Sequence, residues 1–534
     1  MTQSTSTAEV VDPSIDRGER RAVLLVFVGL MVAMLLASLD QMIFSTALPT
    51  IVGELHGVDH MLWVTTAYIL ASTIMMPVYG KLGDLIGRKS IFVAAISLFM
   101  AGSVFGGLAH SMTLLIIGRA IQGLGGGGLM ILSQAIIADV VPARQRGRYM
   151  GIMGGVFALA SVAGPLLGGF FTEGIGWRWA FWMNLPLGAL AIAAALFFLH
   201  PHTGDRVRPR IDVAGITTLA VASAAVVLTS VWGGTTYAWD SPQILSLIAV
   251  ALLAIGGFVV AERRAAEPVM PLHLFRQRNF CLATGAGLII GVAMFGAMAY
   301  LPTYLQMVTG SGATKAGLLM IPMMGGVLVT SMASGQVVSR TGRYKLFPLV
   351  GTLVVGAALA LMSTMTPSTS LVVICSYLAL LGAGIGLAMQ ILVLVVQNTF
   401  PAREVGTATA ANNYFRQIGA SLGSAIVGTV FVSRLTDLLA GASTGGTGGA
   451  NSLTPEAVKV LPTAVRDVIV GAYSDALTPV FLYLVPLLAV AAVLLAYLTE
   501  KPLATTIERA PSVRTEPDGT DAVDESRVLA TVLD

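Results

Sequence analysis

Charge is what this 534-residue sequence has least of: 31 Lys and Arg and 28 Asp and Glu leave 11% of positions charged, where a soluble globular chain carries about 25%. With 55% hydrophobic residues and a mean hydropathy of +0.81, there is too little polar surface to cover a water-facing body of this size. That excludes a cytosolic enzyme of several soluble domains. Cysteine is almost absent. Cys281 and Cys375 each lie in an apolar run, so neither a disulfide framework nor a thiolate metal site is expected. The histidines (His56, His60, His110, His200, His202, His273) fall between apolar runs and form no intramembrane metal cluster. No G-x-x-x-x-G-K-[S/T] stretch occurs, so the chain carries no ATPase of its own. The glycines Gly123, Gly125, Gly126, Gly127 and Gly128 imitate such a loop only superficially. The apolar runs hold no nucleophile–base or metal constellation, so an enzyme is not expected, nor a cofactor. A net charge of +3 without a basic stripe argues against nucleic acid as a partner.

What the sequence has in abundance is apolar runs. A membrane span needs roughly 20 apolar residues, and fourteen such segments can be marked, the first over 22–49 and the last over 477–499. None shows the period-2 alternation of barrel strands, so the expected fold is an all-α membrane protein of 14 transmembrane helices. The first run is too long for a secretory signal and is read as an uncleaved span. Alternate loops divide the Lys and Arg residues unequally, 24 against five, with Arg119 and Arg416 left inside spans. This bias places both termini in the cytoplasm of a plasma (inner) membrane. The Gly/Ser/Thr-rich stretch 441–452 belongs to an outside loop over 434–476.

The chain also repeats itself. Gly80-Lys-Leu-Gly-Asp84-Leu-Ile-Gly87-Arg88-Lys89 has an echo in Gly335-Gln-Val-Val-Ser339-Arg-Thr-Gly342-Arg343-Tyr, 255 residues on. Pro142-Ala-Arg144-Gln-Arg-Gly147 has one in Pro401-Ala-Arg403-Glu-Val-Gly406, 259 residues on. Spans 1–6 then match spans 9–14, as in secondary transporters. The expected organisation is a cytoplasmic N-terminus (1–21), an N-terminal six-helix bundle (22–200), two inserted helices (211–262), a pseudo-symmetric C-terminal six-helix bundle (275–500) and a flexible cytoplasmic tail (501–534).

Together with Leu39-Asp40 through Ala47-Leu48-Pro49, Arg119-Ala-Ile-Gln122-Gly123, Gly164-Pro165-Leu-Leu-Gly168-Gly169, Trp177-Arg178-Trp179 to Asn184-Leu-Pro186 and Phe415-Arg416-Gln417-Ile-Gly419, these motifs carry a resemblance. Over residues 20–500 the chain resembles a major facilitator superfamily transporter of the 14-span drug:proton antiporter group. The resemblance implies export driven by the proton gradient, through alternating access between two halves. It implies that Arg119 serves proton coupling. It also implies that the loop of Gly80, Asp84, Gly87, Arg88 and Lys89 latches the outward-open state, with Asp139 at the inner end of span 4 as its acidic partner.

The residues themselves allow a function and an alternative for each motif. Asp40 and Asp139 are the two acids within apolar segments, and a carboxylate there is costly in its charged form. Asp40 is therefore the candidate proton carrier, or else one half of a structural ion pair. It lies about nine residues below Pro49 and Arg119 about seven below the outer end of span 4, which puts both roughly 10–14 Å deep. A guanidinium stays charged and cannot itself carry the proton; Arg119 tunes Asp40 or anchors backbone carbonyls. Ser339 stands where Asp84 does in the first copy, so the second latch should be weaker. Gly164, Pro165, Gly168 and Gly169 suit a hinge whose packing blocks leak, or plain small-residue packing. Asn412, Asn413, Arg416 and Gln417 cover one face of span 13 and line the cavity or bind the opposite half. Met294, Phe295, Tyr300, Tyr304, Met307, Met320, Met323 and Met324 form an adaptable drug surface or face lipid. The reading is a proton-coupled exporter of small amphipathic or cationic compounds, acting as a monomer in the bilayer. The alternatives are an exporter of a single metabolite or antibiotic, and a transporter-shaped sensor or partner in envelope lipid traffic.

Overall fold

The computed structural model describes residues 17–56, 60–199, 210–234, 236–440, 458 and 461–505. The first sixteen residues, the 200–209 connection with Arg206 and Arg208, the 441–452 stretch and the tail beyond 505 lie outside the described residues, and so do the readings made there. In hydrocarbon a continuous apolar run satisfies its backbone N–H and C=O groups only by coiling. Among the described residues the chain is accordingly a succession of helices. They are α1 (Arg17–Glu54), α2 (Met61–Ile86), α3 (Arg88–Gly107), α4 (Met112–Val140), α5 (Ala143–Phe170), α6 (Trp179–Trp182), α7 (Asn184–Phe198), α8 (Val213–Trp232), α9 (Pro242–Arg264), α10 (Arg278–Thr309), α11 (Ala313–Leu319), α12 (Ile321–Thr341), α13 (Leu346–Met362), α14 (Leu371–Gln397), α15 (Val405–Ala440) and α16 (Thr463–Ala496). The pairs α6/α7 and α11/α12 are broken spans, interrupted at Met183 and Met320. The described residues thus hold fourteen spans, thirteen long and apolar and the shorter α13. Phe197, Leu253 and Val372 are 81%, 77% and 76% exposed on the perimeter. Side chains of that kind in such number are stable outward only where lipid is the solvent.

The helices form two bundles. In the first, α1 packs on α5 and α7, and α4 is gripped between α2 and α3; in the second, α10 packs on α15 and α16, and α14 on α12 and α13. The α4 glycines make that grip close. A Cβ on Gly123, Gly125 or Gly127 would stand 2.5, 2.4 or 2.3 Å from the carbonyl oxygens of Tyr68, Ala95 and Ser72. The run is a packing surface between helices.

The inserted pair separates the bundles in the sequence but not in space. α8 lies along the seam where α2 meets α15, with Ser223 Oγ 2.8 Å from the Tyr414 hydroxyl and Trp232 edge-on to Trp63 at 5.8 Å. α9 packs on α8 and turns its other faces outward. Two further expectations change. The connection before the last span is shorter than 434–476, because α15 runs on to Ala440 and α16 begins at Thr463. Arg434, in that extension, donates to the Asp475 carbonyl at 3.1 Å. Hydropathy marks the edge of the lipid, while a helix continues into water as long as its side chains find partners. Met294, Tyr304, Met307, Met323 and Met324 face neither lipid nor an open space, being buried in the core of the second bundle.

Candidate functional site

Asp40 of α1 and Arg119 of α4, 79 residues apart in sequence, meet inside the first bundle. Arg119 Nη1 donates to Asp40 Oδ2 at 2.5 Å, and Asp40 is 0% exposed. The other carboxylate oxygen accepts from Gln122 Nε2 at 2.7 Å and Asn184 Nδ2 at 3.1 Å. Gln122, one helical turn from Arg119, also accepts from it at 2.7 Å, and Ser103 Oγ accepts from both Gln122 and Asn184. The guanidinium carbon lies 4.1 Å from the Phe44 ring centre and 4.3 Å from that of Tyr68, so its faces are covered by aromatics. Four helices thus supply one polar knot: α1, α3, α4 and α7. Every contact to Asp40 is a donor, which is the set an ionised carboxylate requires. Three donors thus fill three of the roughly four acceptor sites of the carboxylate, and the bond to Arg119 is the one made by an opposite charge. Removing one partner of a buried ion pair leaves an uncompensated charge and costs about 3–5 kcal/mol.

The latch residues stand at the face of the membrane where the Lys and Arg loops gather, called here the basic face. Asp84, at the end of α2, reaches across to the other bundle and caps the N-terminus of α15. Its oxygens accept from the backbone N–H of Gly406 at 3.1 Å and Thr407 at 2.7 Å, and from the Thr407 hydroxyl at 2.8 Å. A carboxylate suits those free N–H groups and the positive end of the helix dipole. Arg88 pairs with Asp84 at 2.7 Å and with Asp139, and donates to the Ala135 and Ala402 carbonyls at 2.9 and 3.1 Å. Gly87 turns the chain between α2 and α3 with φ 93°, a conformation that side chains disfavour. Gly80 lets α2 touch α15, where a Cβ would stand 2.7 Å from the Gly406 carbonyl oxygen. Lys89 goes elsewhere. Its ammonium donates to the Leu196 and Leu199 carbonyls at the end of α7, at 2.8 and 2.5 Å.

The other singled-out residues divide similarly. Gly164 and Gly168, one turn apart on α5, face α1, where a Cβ would stand 2.3 Å from Met42 Cβ or 2.1 Å from Thr46 Oγ1. Gly169 faces nothing within 4 Å, and α5 runs unbroken past Pro165 before loosening into a π-helical turn, Phe171–Ile175. Asn413 binds the opposite bundle, donating to Gln134 Oε1 of α4 at 3.0 Å, and Asn412 accepts from Thr284 of α10 at 3.4 Å. Arg416 and Gln417 are half-buried. Among the described residues, the hydrogen bonds linking the two bundles directly involve Asp84, Arg88, Gln134 and Arg144, all at or near the basic face, which is closed.

Residues 30–424 match the Major Facilitator Superfamily. The chain belongs to that superfamily. Its relatives include an uncharacterized MFS-type transporter of Mycobacterium tuberculosis, 42% identical over 90% of this chain and 70% of the relative. Two proteins of Bacillus subtilis are also similar. The multidrug transporter protein MdtP is 39% identical over 78% of this chain and 76% of its own, and multidrug resistance protein 3 is 34% identical over 90% and 96%. Among solved structures, the proton:xylose symporter XylE covers 91% of this chain and 98% of its own with a TM-score of 0.60 at 13% identity. The human organic anion transporter MFSD10 covers 90% and 100%, with a TM-score of 0.59 at 16% identity. At such identities they show a shared fold. Members of the superfamily move small molecules across membranes and are not enzymes, and several relatives of this chain are named multidrug transporters or efflux pumps.

Within this superfamily member, sequence reasoning gave Gln122 and Asn184 a place in a motif but no role, and passed over Ser103, Phe44, Tyr68 and Gln134. The spacing of Gln122 three residues after Arg119 was the available signal for one of them. Ser103 and Tyr68 carry no such signal, because only packing brings α3 and α2 to the ion pair. Outside the apolar stretch of α1, Glu54 accepts from Trp177 Nε1 and Arg178 Nη1, each at 2.7 Å. The Arg178 bond chiefly, and then the Trp177 bond, hold its carboxyl below the usual carboxylate range.

Proposed function

We propose that this transporter exports small amphipathic compounds, cationic ones included, in exchange for protons, with Asp40 as the proton carrier and Arg119 as its counter-charge. The observation behind this reading is the donor-only environment of Asp40. Protonating it removes the charge that attracts Arg119 and so weakens the bond that ties α1 to α4, which lets the helices around the knot repack. Met42, two residues beyond Asp40, sits against Gly164 of α5. α5 in turn crosses α12 of the other bundle at Gly147 and Gly151. A proton taken up at Asp40 therefore has a packed route to the crossing between the halves. With the basic face cytoplasmic, as the Lys/Arg bias indicates, the closed side is the inner one, and the conformer is the one that releases cargo outward and collects a proton. The reading places a monomer in the plasma membrane with both termini inside.

The test is transport in proteoliposomes with an imposed pH gradient, comparing wild type with Asp40→Asn across a panel of compounds. Gradient-driven movement should vanish in Asp40→Asn while the protein remains folded and abundant. Unchanged transport removes Asp40 from the coupling, and a requirement for ATP overturns the class. A dedicated exporter of one metabolite would move a single member of the panel.

A further inference from the structure

Two arginines lie inside the spans, and their surroundings differ. Arg119 has Asp40. Arg416 of α15 has no hydrogen bond or ion pair among the described residues. It lies eleven residues from the start of α15, about 16 Å along the helix, well within the hydrocarbon layer. Its place on the helix surface is defined by its neighbours. Asn412, Gly419 and Gly423 meet α10 at Thr284, Leu288 and Val292. Thr409 and Asn413 sit against Gln397 of α14 and Gln134 of α4. Arg416 falls between these two strips, on the side of α15 that turns toward α4 of the first bundle, with its carbonyl against Gly291 of α10, and it is half-buried. No acid in the spans of the second bundle lies at that depth; Asp437 and Asp475 stand toward the ends of their helices away from the basic face. One turn below Arg416, Gln134 Nε2 is a buried donor without an acceptor, and Gln134 is bonded to Asn413 through its other atom.

An unpaired guanidinium at mid-depth is costly, and a planar fork of donors matches a carboxylate better than any other common group. We infer that Arg416, with Gln134 beneath it, is the recognition point for the acidic group of an amphipathic organic anion or zwitterion, whose apolar body occupies the space between the bundles. This deepens the exporter reading and rests on it for the word substrate, but the binding step is testable without any gradient.

The experiment measures equilibrium binding to the detergent-solubilised full chain of two probes that share one aromatic body: dansylglycine, an anion, and monodansylcadaverine, a cation. Wild type should bind dansylglycine more tightly, in gluconate and chloride buffers alike. Arg416→Gln should weaken dansylglycine by about tenfold or more, the worth of a charge-assisted hydrogen bond, and leave monodansylcadaverine as tight or tighter. Arg416→Lys should recover part of the loss. Retained monodansylcadaverine binding certifies that Arg416→Gln is folded; should it fail to fold, the wild-type probe preference and Arg416→Lys decide. Equal binding of both probes by wild type, an equal loss of both in Arg416→Gln, or abolition of the dansylglycine preference by chloride would each overturn the inference, the last by assigning Arg416 to an inorganic anion. Gradient-driven uptake of monodansylcadaverine, and its loss in Asp40→Asn, reports separately on the exporter reading.

Discussion

At one crossing of the two bundles Gly80 of α2 meets Gly406 of α15; at the other Gly335 of α12 meets Gly147 of α5. These are the same two motifs with the halves exchanged, 255 and 259 residues apart. The backbone contact is kept in both copies, but the charge that secures it is not. In the first copy Asp84 caps α15 and Arg88 ties it to Asp139 and to two carbonyls. In the second, Ser339 has no carboxylate to offer. Arg144 instead donates to the Ser339 and Arg340 carbonyls at 3.3 and 2.9 Å, at the end of α12, and Arg343, the counterpart of Arg88, is exposed. Repetition of the motif reproduced the steric fit because any approach of two helices that close excludes a side chain. The ionic lock needs a particular acid, and one copy lost or never had it. Electrostatic changes should therefore open the first crossing far more readily than the second.

That contrast can be broken in several ways. The largest effect is expected from Asp84→Ala, which strips four donors of their acceptor and should weaken the closed basic face by about 3–5 kcal/mol. Hydrogen–deuterium exchange in the first turn of α15 would report it, and unchanged protection would mean that the cap holds nothing. Gly335→Ala comes next. Its methyl would stand 2.1 Å from the Gly147 carbonyl oxygen, against 2.7 Å from that of Gly406 for Gly80→Ala. Each should lower thermal stability by about 1–3 kcal/mol, with Gly335→Ala the worse; the reverse order would show that the second crossing is the looser one. Arg144→Ala should cost about 1 kcal/mol, raising exchange at the end of α12 and leaving α15 untouched.

The smallest expected effect is at the opposite face. Glu54 is held below its ordinary value of 4.5 by Arg178 and Trp177. Its folded-state value thus lies under the unfolded one, so the clamp is at full strength above pH 4.5 and is lost as the pH falls through the lower, folded value. An acid titration should show a tryptophan fluorescence change below that point that Glu54→Gln lacks. Exchange at the two crossings should not follow it.

Much of the architecture was legible in the sequence. Runs of apolar residues must coil in hydrocarbon, and basic loops sort by side, so the number of spans and their pairing into halves follow from composition and repeats. Within the site, depth alone put Asp40 and Arg119 at a common level, and their pairing agrees with that arithmetic. Lys89 belongs to the same motif as Arg88, and the helix beginning at Arg88 turns it to the carbonyl end of the neighbouring α7. Gly169 sits next to Gly168 but one residue off the face that meets α1. Neighbouring positions on a helix point about 100° apart, so membership of one motif does not give a shared face.

Solvent and covalent order thus suffice to say that this chain spans a bilayer many times and folds as two related halves, because both depend on sums over many residues. Which buried charge has a partner and which stands bare depends on a few ångströms between helices distant in the chain. No local pattern records that the bond from Asp84 goes to α15, that α8 lies along the seam, or that Arg416 has no charged partner among the described residues. Those outcomes are settled only when the helices pack, since there the cost of an unsatisfied charge or a misplaced methyl is first felt.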